Sequence, residues 1–155
     1  MPEIRGEITE PNALTEADWR AILSPAEYRV LRESGTEPPG TGRYLDLDAE
    51  PAAAYACAGC GLVLYGGSAK FHSGCGWPSF FEEVEPDAVT RYEDRSHGMV
   101  RTEMRCGRCD GHLGHIFPDG PPPTGTRHCV NGLAIVRIAE GETADAALKR
   151  HRSGL

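Results

Sequence analysis

The apolar positions of the chain change their period once. Up to residue 35 they recur at helical spacing, and from Tyr55 onward they come in short runs of β type. Thr15-Glu-Ala-Asp18 has the form of a capping box, after which Trp19, Ile22 and Leu23 fall on one helical face. A second start follows at Ser24-Pro25-Ala-Glu27, with Ser at the N-cap, Pro at the first helical position and Tyr28 and Leu31 as the apolar stripe. Gly35 is read as its end, so residues 12–35 are expected to form a helical hairpin. The segment 1–14 has no hydrophobic period and is expected to be a loose arm, and residues 37–42 form a loop. Leu62–Tyr65, Ala88–Tyr92, Met99–Met104 and Leu133–Ile138 read as strands separated by Gly, Pro and Asp. A last helix is expected over Ala144–Arg150, inside a tail of residues 141–155. The pattern predicts one mainly β domain of the α+β kind over residues 1–155.

Composition narrows the class. The 155 residues are 39% hydrophobic and 25% charged, the balance of a single globular domain. A net charge of −7 disfavours nucleic acid and anionic membranes as partners, because either would have to bind against the overall field. No apolar run approaches the roughly 20 residues of a membrane span. The first residues show no basic segment followed by an apolar one, and a soluble cytoplasmic protein, monomeric in form, is the expectation.

Six cysteines carry the chemistry. Cys57-Ala-Gly-Cys60 and Cys106-Gly-Arg-Cys109 are two CxxC knuckles with 45 residues between them. Two such turns brought together complete a tetrahedral four-thiolate site, so one structural zinc ion pinning distant parts of the domain is expected. A rival set, Cys106, Cys109, His112 and His115, is too compressed to surround an ion and leaves the first knuckle unused.

Cys75 and Cys129 have no CxxC partner. Free cysteines are often small buried hydrophobes, but Cys75 sits between Gly74 and Gly76, where an exposed, mobile thiol is expected. Cys129 lies in Arg127-His-Cys-Val-Asn131, where strand alternation puts Arg127, Cys129 and Asn131 on one face and His128 and Val130 on the other. An arginine beside a thiol stabilises the thiolate, and an asparagine can donate to a developing negative charge. That combination marks Cys129 as a nucleophile.

These motifs stand in a familiar order: Lys70-Phe-His-Ser-Gly-Cys-Gly-Trp-Pro-Ser-Phe80, Cys106-x2-Cys-x2-His-Leu-Gly-His-Ile-Phe117, Asp119-Gly-Pro121 and Arg127-His-Cys-Val-Asn131, preceded by the Cys57 knuckle and the Ser24–Glu37 helical region. Over about residues 15–140 the chain resembles the methionine-R-sulfoxide reductases of the B type. The resemblance implies two antiparallel β-sheets with peripheral helices and a structural zinc ion. It also implies reduction of the R epimer of methionine sulfoxide in proteins or peptides. It assigns Cys129 as nucleophile and Cys75 as resolving cysteine, and places Trp77, His112, His115, Asp119, Arg127 and Asn131 at the substrate site. Two positions depart from the family pattern: His128 replaces an aromatic Tyr or Phe, and Gly40 stands where a Phe commonly follows the proline. Position 128 should face away from the site, so an effect on packing or on loop contacts is expected.

A sulfoxide oxygen leaves only once protonated, so the site needs a thiolate and an acid together. Arg127 is expected to hold the Cys129 thiolate, and His112 or His115 to supply the proton, with Asp119 orienting an imidazole or ordering a water. Trp77 offers a wall for the S-methyl group. The product sulfenic acid on Cys129 condenses with Cys75, and thioredoxin reopens the disulfide. A catalytically silent zinc domain would not need Cys129, Arg127 or the histidines. A zinc-ribbon nucleic-acid module would not carry this charge.

Overall fold

Thr15 and Ser24 start the two N-terminal helices as the capping pattern predicts. The computed structural model, which describes residues 5–154, places α1 at Glu16–Ile22 and α2 at Pro25–Glu33. The Thr15 hydroxyl accepts from Asp18 N–H at 3.2 Å while the Asp18 carboxylate accepts from Thr15 N–H at 2.9 Å, and Ser24 and Glu27 repeat the exchange at 3.2 and 3.0 Å. The end of α2 differs slightly from expectation. Ser34 itself takes the left-handed conformation (φ 54°), and Gly35 N–H then closes on Arg29 C=O at 2.8 Å.

Among the described residues nine strands follow: β1 Ala54–Cys57, β2 Val63–Gly66, β3 Lys70–Phe71, β4 Ser79–Phe80, β5 Val89–Asp94, β6 Arg101–Cys106, β7 His112–Phe117, β8 Arg127–Val130 and β9 Ile135–Ile138. They make two antiparallel sheets, a small one of order β2-β1-β9 and a larger one of order β3-β4-β8-β7-β6-β5. The mainly β architecture with two antiparallel sheets agrees with the expectation. A final helix, α3 at Ala144–Ser153, runs about one turn further than predicted.

The two sheets pack through one face of the large sheet. Phe80 and His128 are directly opposite each other on β4 and β8, and both are fully buried against Tyr65 of β2. Phe80 stacks on the Tyr65 ring at 4.3 Å, and the Tyr65 hydroxyl meets His128 Nδ1 at 2.9 Å. Met104, Leu113, Val130, Ile135 and Val136 complete this apolar layer. As expected, His128 acts on packing, away from Cys129.

The segment expected as a loose arm is ordered where it is described. Ile8 is buried and donates its N–H to Cys60 C=O at 2.8 Å, and Glu7 N–H reaches the Asp145 carboxylate at 2.8 Å. Residues 1–4 of that arm lie outside the described residues. The arm packs because Ile8 joins the buried apolar cluster.

Candidate active site and metal centre

Each CxxC knuckle is the turn of a β-hairpin. Cys57 ends β1 and Cys60 follows before β2; Cys106 ends β6 and Cys109 follows before β7. One hairpin belongs to the small sheet and the other to the large one, and all four thiols are buried with sulfur atoms within 4.8 Å of one another. Cys57 Sγ lies 3.6 Å from Cys109 Sγ, and Cys60 Sγ 3.5 Å from Cys106 Sγ. A tetrahedral ion with bonds of about 2.3 Å to sulfur separates its ligands by about 3.8 Å, so the four cysteines fit a metal ion. The histidine set considered from sequence does not form: His112 and His115 are bound elsewhere.

Three arginines hold the carbonyls of the knuckles. Arg152 of α3 donates to Ala58 and Gly59 and to the arm carbonyls of Arg5 and Gly6. Arg108 reaches Cys60 C=O at 3.0 Å, and Arg32 of α2 reaches Cys109 C=O at 2.9 Å while stacking on Trp19.

On the opposite face of the large sheet, away from the small one, the strand register lays out one continuous row. Phe71 pairs with Ser79, Ser79 with Cys129, Cys129 with His115, His115 with Glu103, and Glu103 with Tyr92. Directly opposed residues share a face, so a thiol, an imidazole and a carboxylate are brought together from three strands. Gly114 is required beside them, because a Cβ there would come within 2.0 Å of Cys129 C=O.

The row borders a cavity of about 310 Å³ lined by Thr36, Cys75, Trp77, Arg101, His115, Phe117, Arg127, Cys129 and Asn131 among others. Arg127 Nη1 lies 2.8 Å from Cys129 Sγ, and its other nitrogens fork onto Asp119 at 2.9 and 3.2 Å. Asp119 thus aims the guanidinium, where an imidazole or a water was expected as its partner. The guanidinium also stacks on Phe117 at 4.4 Å.

Cys75 is half-buried, not loose. Gly74 (φ 77°) and Gly76 (φ 95°) let the loop curl so that Cys75 Sγ sits 2.9 Å from Cys129 Sγ. The two thiols titrate as a pair, in which the first proton leaves readily and the second is held. Against burial, hydrogen bonding between the two sulfurs and with Ser73 and Ser79 lets one proton of the pair leave below the usual thiol range. Burial pushes the other proton of the pair up, with the charge already present adding to the rise and Arg127 opposing it. The direct guanidinium contact favours the single negative charge on Cys129, while the Cys75 thiol donates to Trp77 C=O at 3.4 Å.

Trp77 forms a wall of the cavity, its indole N–H fixed on Glu37 C=O at 3.1 Å. The Asn131 amide is engaged on both sides: it donates to Leu113 C=O and accepts from Glu37 N–H, each at 2.9 Å, so it ties the 37–42 loop to β7. Gly40 (φ 81°) belongs to that loop, its N–H on Gly76 C=O at 2.7 Å with open space at its Cα. His115 lines the cavity and bonds Asp94 through Nε2 at 2.7 Å. His112 is one step removed, buried, with Nδ1 on Glu103 at 2.6 Å. Asp94, Glu103, Arg101 and Thr36 were not singled out from the sequence. Asp94 and Glu103 meet their histidines across strands, at separations that no local spacing betrays.

The chain matches the SelR domain over residues 23–139. It is 53% identical over 131 residues to the peptide methionine sulfoxide reductase MsrB of Agrobacterium fabrum, covering 84% of this chain and 96% of that protein. It is 56% identical over 121 residues to the protein of the same name from Thiobacillus denitrificans, covering 78% and 90%. A match over 136 residues at 50% identity joins it to the Bradyrhizobium diazoefficiens protein, covering 87% and 96%. With a family domain over most of its length and relatives this similar, the chain belongs to the methionine-R-sulfoxide reductase B family.

Proposed function

We propose that the protein reduces the R epimer of methionine sulfoxide in polypeptides to methionine, with Cys129 as nucleophile. The observation that carries this reading is the contact of Arg127 and Cys75 with the Cys129 sulfur inside one cavity. The Cys129 thiolate attacks the sulfoxide sulfur, one proton passes to the oxygen, and the oxygen ends on Cys129 as methionine departs. Of the two histidines, His115 is the donor on this reading, because it lines the cavity and His112 does not. Trp77 flanks the methyl group. The Cys75 thiol then attacks the sulfenic acid, releasing water and leaving a Cys75–Cys129 disulfide. A dithiol protein of the thioredoxin kind reopens it, taking the disulfide's oxidation onto itself. The dependence on free thiols suits a reducing compartment such as the cytoplasm, with a single chain as the working unit.

The metal at the four cysteines is proposed to be zinc, held by Cys57, Cys60, Cys106 and Cys109. Bound there it supplies folding stability and no chemistry to the cavity. Among the described residues no helix is long and apolar enough to cross a membrane.

The test is single-turnover reduction of each sulfoxide epimer. Cys129→Ser should release no methionine. Cys75→Ser should release about one methionine per chain from the R epimer and then stall with thioredoxin. Turnover of neither epimer by the unaltered protein would overturn the reading.

A further inference from the structure

The two histidines carry opposite restraints. Glu103 takes Nδ1 of His112 at 2.6 Å, whereas Asp94 takes Nε2 of His115 at 2.7 Å. The rings stand edge to face 5.6 Å apart. A carboxylate only accepts hydrogen bonds, so each bonded nitrogen must carry a hydrogen. His115 therefore has Nδ1 as its free nitrogen, and His112 has Nε2, which is buried without a partner. Only the His115 ring borders the cavity.

Asp94 is itself well held. It ends β5 directly opposite Arg101 of β6, whose Nη2 reaches the same Oδ2 at 3.3 Å, and its Oδ1 accepts from Ser96 N–H at 2.9 Å. Hydrogen bonds from Ser96, and then from His115, keep its carboxyl well below the usual carboxylate range, so it stays ionised. The charged or titratable groups facing the His115 ring are Asp94 and Arg101 from the β5–β6 hairpin, Glu103 across the β6 pairing, His112 on its own strand, and Cys129 with Arg127 from β8.

We propose that Asp94 is a positioning residue for the reduction: by holding Nε2–H of His115 it leaves Nδ1 as the nitrogen that serves the cavity. The inference rests on the sulfoxide-reductase reading given above. The consequence is specific. A neutral His115 held in this way presents a lone pair at Nδ1 and cannot donate, so the donor is the doubly protonated ring. Giving up the Nδ1 proton to the sulfoxide oxygen leaves the Nε2–H form, still bonded to Asp94. The proton transfer thus needs no rotation of the ring.

The test combines kinetics with long-range ¹H–¹⁵N correlation spectra of the histidines, in the zinc-loaded protein. In the unaltered protein at high pH, neutral His115 should be the Nε2–H tautomer; an Nδ1–H tautomer overturns the proposal without any variant. Asp94→Asn should lower kcat for the R sulfoxide on the order of 10²-fold with KM changed less than about threefold. It should also scramble the His115 tautomer while leaving iodoacetamide alkylation of Cys129 at its original rate. Undiminished kcat overturns the proposal, as does a parallel fall in alkylation, which marks general damage. An unaltered protein that reduces neither epimer sinks the function itself, and is told apart by the tautomer measurement, which needs no turnover.

Discussion

At the residue scale, the site shows which partnerships a sequence displays. Arg127 and Cys129 are two apart on a strand, so alternation alone puts the guanidinium beside the thiol, and the 2.8 Å contact follows. Asp94 and Glu103 reach their histidines across strands 21 and 9 residues away, and nothing in the local spelling announces them. Cys75 was legible as chemistry but not as geometry, because the curl of its glycine loop depends on β4 docking beside β8. His128, the departure from the family pattern, has an energetic signature of its own. Burial holds the imidazole down at about 4, and its Nε2 has no partner. In the unfolded chain a histidine takes a proton near 6.5, so well above that pH its protonation does not alter stability. As pH falls from 6.5 toward 4, the unfolded state binds a proton that the folded state refuses. Stability should drop by about 2 kcal/mol by pH 5 and by about 3 kcal/mol at most. Urea denaturation at pH 8 and pH 5 checks this. The difference between the two pH values should be about 2 kcal/mol smaller in His128→Phe, even if that variant is less stable at pH 8 for want of a partner for Tyr65.

At the element scale, helix starts were the most legible features, because a capping box is spelled within four residues. β7 was not named as a strand: His112-Leu-Gly-His-Ile-Phe117 alternates polar and apolar residues poorly and invites reading as ligand spacing. The two-residue strands β3 and β4 lie below what any period can reveal. The CxxC pairs declared a metal site, yet not that each knuckle is the turn of a hairpin from a different sheet. Nor did the sequence show that α3 runs on to Ser153 so that Arg152 can bind four carbonyls around the first knuckle. That arrangement gives two expected outcomes. Cys106→Ser should yield metal-poor, poorly folded protein by elemental analysis and circular dichroism, because an ion held by these four thiolates would join both sheets. Arg152→Ala should keep all four thiolates but release metal to a competing chelator several-fold faster, since unpartnered buried carbonyls loosen the turn. An unchanged release rate would show that α3 plays no part in holding the ion.

For the whole molecule, net charge and composition are silent on strand order. The order β3-β4-β8-β7-β6-β5 divides the large sheet into two pieces. Strands β5 to β8 form a meander of sequential neighbours, whereas β3–β4 comes from earlier in the chain and closes onto the free edge of β8. The meander alone contains His115, Arg127 and Cys129; the second piece brings Cys75 and Ser79. The second piece also carries Trp77, so the seam sets a wall of the cavity and the Cys75 thiol against Cys129. Phe80, wedged between Tyr55 and Tyr65 beside that seam, is the place to loosen it. Phe80→Leu should slow closure of the Cys75–Cys129 disulfide several-fold after a single turnover, as read by thiol titration. Packing on the hidden side of the sheet thus governs how often the exposed side can fire.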